Sequence, residues 1–256
     1  MKIFSGIQPT GKKHLGNYIG AISQYVDLQD EGTPAIYCVV DAHAITVKYD
    51  PVELRERLYD TAAILLAAGL DPEKCIFFRQ SDVPEHTELT WLLSSITSHG
   101  DLNRMTQFKE KSAKQRELVS AGLFFYPVLM ASDILAYNTD LVPVGDDQRQ
   151  HIELARQIDT FTVPDWRIPE VGARIMDVKD PTSKMSTTSD NPAGTIYVLD
   201  EPKAIEKKIK SATTDSGSEV VRAPDKPGIS NLVEILAFVT GSTMDQVEAD
   251  FAGQQY

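Results

Sequence analysis

The chain has 256 residues, 42% of them hydrophobic and 24% charged, with a formal net charge of −12. That composition excludes a disordered chain, a collagen-like repeat and a disulfide-rich miniprotein, and fits one large domain or two smaller ones. Cys38 and Cys75 sit inside apolar runs and read as buried thiols of a reducing compartment. No run approaches the ~20 apolar residues of a bilayer span. Met1 to Gly6 carries no signal-peptide pattern, so a cytoplasmic chain without membrane attachment is expected. The acidic total argues against bulk nucleic-acid binding but leaves room for a local basic patch.

In chain order, Ile3 to Gly6 is a short strand candidate, followed by a helical pattern with Tyr18, Ile22, Tyr25 and Val26 on one face. Ala35 to Asp41 is a second strand candidate and Cys75 to Arg79 a third. Between them Leu54, Leu58, Ala62 and Leu65 share a helix face. Asp50 is placed to cap that helix, Pro51 takes its first position, Glu53 completes a capping box and Gly69 fits its end. Strand and helix alternating in this way give an α/β fold, a parallel sheet with helices on both faces. Such sheets bind ligands at the carboxyl ends of their strands.

Further on, Gln148 to Gln157 reads as a helix and Phe161 to Pro169 as a proline-containing connection. Arg174 to Val178 is a last strand candidate, and Asp180 to Gly194 is polar enough for a mobile loop. From Lys203 the pattern is helical with Lys207, Lys208 and Lys210 exposed. Pro224, Pro227 and Gly228 interrupt it, and Asn231 to Thr240 resumes it. No internal repeat is present.

Two segments carry phosphate-handling chemistry. Gly11 to Gly20 reads GKKHLGNYIG, with a histidine just before a helix start, where backbone N–H groups favour an anion. An ordinary strand-to-helix turn with a surface histidine fits these residues equally well. Lys184-Met185-Ser186-Thr187-Thr188 places a lysine among hydroxyls on the polar loop, able to close over a polyphosphate. A solvated loop lysine is the alternative there.

An HLGN after the first strand and a KMS segment about 170 residues later resemble the HIGH and KMSKS signatures of class I aminoacyl-tRNA synthetases. Further blocks narrow this: Ser5 to Gly11 (SGIQPTG), Asp41 to Ile45 (DAHAI), Thr106 to Ser112 (TQFKEKS), Gly172 to Met176 (GARIM) and Lys226 to Asn231 (KPGISN). Nearly the whole chain, from Phe4 onward, resembles the bacterial tryptophanyl-tRNA synthetases. The resemblance implies a Rossmann-like catalytic domain over 1–188, with a helical insertion near 104–165. It also implies an incomplete helical anticodon-side domain over 189–256. The implied activity joins L-tryptophan to ATP, with Mg²⁺ accompanying the nucleotide and no tightly held protein-ligated metal, and then transfers tryptophan to tRNA(Trp). The family works as a homodimer.

Carried over by motif, Gln8, Pro9 and Thr10 sit on the nucleotide, and Gly16 and Asn17 on its phosphates. Gly145, Asp146 and Asp147 lie near the ATP and amino-acid pockets, and Ile175 packs by the adenine. Lys184, Met185, Ser186, Thr187 and Thr188 form the mobile loop, and Lys111 is an extra phosphate lysine. The tryptophan carboxylate is its own nucleophile, so catalysis is positioning plus charge stabilisation by groups such as His14, Asn17, Lys184 and Lys111. His43, His86, His99 and His151 show no metal-ligand spacing. His43 has a pocket role by resemblance, whereas His86 and His99 read as surface residues.

Asp133 stands alone in the apolar run Phe124 to Tyr137, with Met130 and Tyr137 on its helix face. A buried unpaired carboxylate costs several kcal/mol, so it needs a partner or must face solvent or a loop. The functional reading has Asp133 accepting the indole N–H within a slot walled by Phe4, Met130, Val142 and Val144. Tyrosine is the nearest competitor substrate, since its hydroxyl also donates. Five basic residues (Arg104, Lys109, Lys111, Lys114, Arg116) against Glu110, and a second cluster from Lys203 to Lys210, are candidate tRNA contacts or solvated helix faces.

Three features depart from the family pattern. Thr187 replaces the second lysine of KMSKS, a Phe-Asn-x-Arg-Tyr-Gly-like segment is missing before Thr162, and the chain stops at Tyr256 where relatives continue for several helices. A tyrosyl-type synthetase, or a synthetase-like ATP and amino-acid binder that does not charge tRNA, are the alternatives.

Overall fold

The structure is a computed structural model that describes residues 1–105, 119–144, 148–158, 161–168, 172, 174–186 and 191–254. Lys111, Gly145, Asp146, Asp147, Thr187 and Thr188 lie outside the described residues, as does most of the basic segment 104–116. Two compact units form, Met1–Thr10 with Gln24–Ile168, and Gly11–Ser23 with Pro169–Tyr256. Among the described residues no helix is long and apolar enough to cross a membrane.

The first unit holds a parallel sheet of five strands, β1 (Ile3–Ile7), β2 (Ala35–Val39), β3 (Ile76–Arg79), β4 (Leu141–Pro143) and β5 (Asp165–Arg167), in the order β3-β2-β1-β4-β5. Ile3 pairs with Ala35 on one side and Leu141 on the other, and Leu141 pairs with Asp165. Strand order reverses between β1 and β4, the switch point at whose carboxyl ends such sheets bind ligands. Gln8, Pro9 and Thr10 leave β1 there and Val144 leaves β4. All five residues of β2 are buried, as a strand covered on both faces must be.

Helices in chain order are α1 (Leu15–Asn17), α2 (Ser23–Asp30), α3 (Asp41–Ala44), α4 (Pro51–Ala67), α5 (Glu85–Ser94) and α6 (His99–Arg104). They continue with α7 (Ala121–Leu135), α8 (Arg149–Arg156), α9 (Pro202–Lys210), α10 (Pro227–Thr240) and α11 (Met244–Asp250). A π-helical turn, Tyr18–Ile22, joins α1 to α2. Asp50 caps α4 as expected, its Oδ1 accepting from Val52 N at 2.8 Å and Glu53 N at 2.9 Å. The expected capping box is not formed; Glu53 reaches forward to Arg57 at 3.5 Å instead. Helix α7 buries residues nearly all round, which makes it a core helix rather than a surface one.

Several sequence expectations change. Phe161 to Pro169 is not only a connection, because it contains β5. Arg174 to Val178 forms no strand; Met176 makes a single antiparallel bridge to Lys184. Pro227 begins α10 rather than interrupting it, since its missing N–H costs nothing at the first helical position. Gly228 follows because a Cβ there would collide with the Thr213 carbonyl. Helix α11 was not expected at all. It starts on a capping box in which Gln246 N donates to Thr243 Oγ1 at 3.2 Å and Thr243 N to Gln246 Oε1 at 2.8 Å. In the second unit Ile19, Ile175, Val178, Met185, Ile196 and Ile235 form one apolar cluster, and Ile229, Val233, Ala237 and Val247 another.

Candidate active site

In the first unit the lone acid of α7 finds its partners. Asp133 is 2% exposed. Its Oδ2 lies 2.7 Å from His43 Nε2, and its Oδ1 takes Gln80 Nε2 at 2.6 Å and His86 Nδ1 at 2.6 Å. Each donor arrives on a short element at the carboxyl side of the sheet: His43 on α3 after β2, Gln80 on the turn after β3, His86 in the first turn of α5. Gln80 is itself fixed, its Oε1 accepting from Ala42 N at 3.1 Å. His86 Nε2 continues to Tyr137 Oη at 2.7 Å.

Burial alone would push the Asp133 carboxyl up. Hydrogen bonds and charge from His43 and His86 together outweigh burial and hold it below the usual carboxylate range. Burial, then nearby Cys38 and Asp133, push the Tyr137 phenol up to about 12, so it stays a hydroxyl able to donate to His86.

His86 is the correction here. The polar run PEHTEL reads as surface, yet His86 is fully buried and bonded at both ring nitrogens. Gln80 was missed as well; the signal was indirect, an acid that had to have donors. His99 is exposed, though its ring meets Phe124 at 5.2 Å. Phe4, Val142, Val144 and the half-buried Met130 pack in one apolar cluster. Phe4 stacks on Tyr137 at 5.6 Å.

In the second unit His14 precedes α1 and is 4% exposed. Leu15 N donates to Ile196 O at 2.8 Å and Val198 N to Lys13 O at 2.9 Å, so the segment around residue 197 holds the HLGN turn in place. Asn17 Oδ1 accepts from His14 N at 3.1 Å. Gly16 lies close to its neighbours: a Cβ would sit 3.1 Å from the His14 ring, tight enough to press on it, and in ordinary contact with Ile175 at 3.5 Å. Among the described residues His14 Nδ1 has no hydrogen-bond partner although it is buried. Burial first, then the charges of Lys184 and Lys13, lower its pKa to about 4, so the imidazole is neutral at neutral pH.

Lys184 is exposed while its neighbour Met185 is buried beside Ile175, Met185 N donating to Ile175 O at 3.0 Å. Asn231 of α10 clamps Met176 from both sides, accepting its N–H at 2.9 Å and donating to its carbonyl at 3.0 Å. Thr195 Oγ1 donates to Ser186 O at 3.3 Å. Lys208 is not the exposed lysine expected from sequence. Its amine is turned inward to Thr195 O at 2.7 Å and Asp200 Oδ2 at 2.5 Å. Lys203 and Lys207 are exposed, and Lys210 is exposed but bonded to Glu206 at 2.6 Å. Among the described residues no group of three His, Cys, Asp or Glu could hold a metal ion.

Comparison with known proteins gives concordant results. The family model of the tRNA synthetases class I (W and Y) matches residues 1–256. The tryptophan–tRNA ligase of Oceanobacillus iheyensis is 53% identical over 264 aligned positions, covering 99% of this chain and 80% of that protein. The crystal structure of tryptophanyl-tRNA synthetase from Mycoplasma pneumoniae superposes with a TM-score of 0.94 at 38% identity, covering all of this chain and 81% of that one. That of the Campylobacter jejuni enzyme complexed with ADP and tryptophan has a TM-score of 0.76 at 36% identity, covering 97% of this chain and 78% of that one.

Proposed function

The chain belongs to the class I tRNA synthetases of the tryptophan and tyrosine group, and on that footing we propose that it activates L-tryptophan with ATP and charges tRNA(Trp). The observation that carries the choice of amino acid is the 53% identity, over 99% of the chain, to a tryptophan–tRNA ligase. In the first step a carboxylate oxygen of tryptophan attacks the α-phosphorus of ATP. The bond to the β-phosphate breaks, and tryptophanyl-adenylate and pyrophosphate form. In the second step a terminal hydroxyl of the tRNA attacks the activated carbonyl and AMP leaves.

No side-chain nucleophile is required, so the residues act by positioning and by stabilising charge on phosphate oxygens. Asp133 accepts the indole N–H, and Phe4, His43, Met130, Val142 and Val144 shape the slot. Phenylalanine is rejected because it would leave the carboxylate's acceptor unfilled. By resemblance Gln8, Pro9 and Thr10 hold the nucleotide, Gly145, Asp146 and Asp147 belong near the ATP and amino-acid pockets, and Ile175 belongs by the adenine. Gly16, Asn17 and His14 meet the phosphates. His14 is neutral, so it serves as a hydrogen-bond donor rather than a cation. Lys184, Met185, Ser186, Thr187 and Thr188 close on the pyrophosphate. With Thr187 uncharged, the cationic share falls to Lys184 and Lys111. Mg²⁺ enters as the counter-ion of ATP.

Residues 1–188 form the catalytic domain, with a helical insertion near 104–165, and the helical stretch from 189 belongs to the anticodon side. The enzyme acts in the cytoplasm as a homodimer. ATP–pyrophosphate exchange with each amino acid in turn, followed by aminoacylation of tRNA, tests the reading. Exchange with tryptophan alone and charging of tRNA(Trp) are expected. Exchange with tyrosine would move the chain to the tyrosyl side, and exchange without charging would make it an activating enzyme only.

A further inference from the structure

The Asp133 cluster is asymmetric in a way that assigns work to its two oxygens. A carboxylate only accepts, with about two lone-pair sites on each oxygen. Oδ1 has both filled, by Gln80 Nε2 and by His86 Nδ1, each at 2.6 Å. Among the described residues Oδ2 has a single donor, His43 Nε2 at 2.7 Å. One acceptor direction therefore remains, and it is on Oδ2.

His86 is held so that it can do nothing else. Because the Asp133 carboxylate can only accept, Nδ1 carries hydrogen, and Nε2 lies 2.7 Å from Tyr137 Oη. The ring is fully buried, with Phe78 at 5.8 Å, Tyr137 at 5.4 Å and Phe4 at 6.4 Å. Its backbone carbonyl accepts from Ser132 Oγ at 2.6 Å, which ties it to the residue before Asp133.

We propose that His86, backed by Tyr137, is a specificity-determining positioning residue. It fills Oδ1 together with Gln80 and stops the carboxylate from rotating, so that Oδ2 alone is offered to the indole N–H. The inference rests on the reading of Asp133 as the indole acceptor. Without His86 the carboxylate gains a second open acceptor and a second orientation. It still binds an aromatic ring but no longer scores the N–H sharply.

The test compares tryptophan with 3-benzothienyl-L-alanine, an isostere whose sulfur replaces the N–H, by kcat/KM in ATP–pyrophosphate exchange. His86→Leu should lower the preference for tryptophan about tenfold, while His86→Asn, which keeps a donor near Nδ1, should stay within about threefold of the parent. Tyr137→Phe removes only the hydroxyl behind His86, and should lower the preference about threefold with kcat for tryptophan little changed. It decides the matter if His86→Leu does not fold. A merely structural role would lower both substrates equally and leave the ratio alone. Asp133→Ala, which removes the acceptor, is run beside them. If Asp133→Ala erases the preference while His86→Leu and Tyr137→Phe keep it within twofold, the role of His86 is wrong. If Asp133→Ala itself leaves the preference intact, the indole reading of Asp133 fails and the inference with it.

Discussion

The two polar clusters of this chain are built on opposite plans. Around Asp133 the groups are matched: three donors meet one carboxylate, and His86 uses both ring nitrogens. Around His14 a buried ring nitrogen has no partner among the described residues, and of the two cations acting on it Lys184 is exposed and Lys13 is buried. A cluster filled but for one acceptor direction can measure whether one more N–H arrives, because any mismatch leaves a buried polar group unpaired. An open cluster suits a ligand that brings many acceptors of its own, such as a polyphosphate. Under the proposed function, selection among amino acids and handling of phosphate charge would rest on different degrees of completeness, and each can be broken separately.

The largest effect expected is on the open side, as a pH dependence of stability. His14 has a folded pKa of about 4 against an ordinary value of 6.5. Above 6.5 both folded and unfolded forms are neutral at this residue and nothing is gained or lost. As pH falls, the unfolded chain takes up the proton first, so stability is lost from about pH 6.5 downward. The loss is about 2 kcal/mol at pH 5 and levels off near 3 kcal/mol below pH 4. Denaturant unfolding of the parent and of His14→Gln at pH 7 and pH 5 measures it; the variant should lose less stability between the two. A histidine resonance titrating near 6.5 instead would remove the distinction between the clusters.

Next comes the closed side. Asp133→Ala should lower kcat/KM for tryptophan by roughly 2–3 kcal/mol, about the scale of one hydrogen bond to a charged group, mainly through KM. Activity within twofold of the parent would mean that the Asp133 cluster is a structural device with no part in recognition. Lys184→Ala sharpens the contrast from the other direction. It should cost about 2 kcal/mol in the rate of adenylate formation and much less in ATP affinity, because closure over pyrophosphate is felt in the transition state. Pre-steady-state adenylate formation beside equilibrium ATP binding separates the two, and equal losses in both would contradict it.

The smallest effect separates two lysines of α9. Lys208→Ala should destabilise the second unit by about 1 kcal/mol, since it removes the amine that joins Thr195 to Asp200, whereas Lys207→Ala should leave thermal stability unchanged. Melting curves of both variants suffice. If Lys207 proves the more costly, the inward turn of Lys208 has no energetic weight.

The outline of this molecule was legible where its determinants are local. Strand β2 is a continuous apolar run, β1 and β3 are short and mostly apolar, and α4 announces itself through Asp50 and Pro51. Strands β4 and β5 have three residues each and exist only because Leu141 and Asp165 find partners far away in sequence. Periodicity cannot register such pairs. Asp133 could be singled out because a lone acid in an apolar helix violates a pattern. His86 could not, because it sits among polar neighbours at a helix start and its partner is 47 residues away. Asn231 was visible only as part of a motif; its grip on Met176 spans 55 residues and depends wholly on how α10 packs.

The short bonds around Asp133 also give the cluster a voice of its own. The hydrogens on His43 Nε2 and His86 Nδ1 lie on short bonds to a carboxylate, on rings that are 5% and 0% exposed. Protons held in that way exchange slowly with water and resonate well downfield of the amide envelope. A one-dimensional proton spectrum of the free enzyme should therefore carry two such lines. A second donor reaching Oδ2 must share the electron density that the His43 proton now has to itself, so that line should shift on addition of tryptophan while the His86 line stays put. The pocket would then announce its occupant without any label being attached.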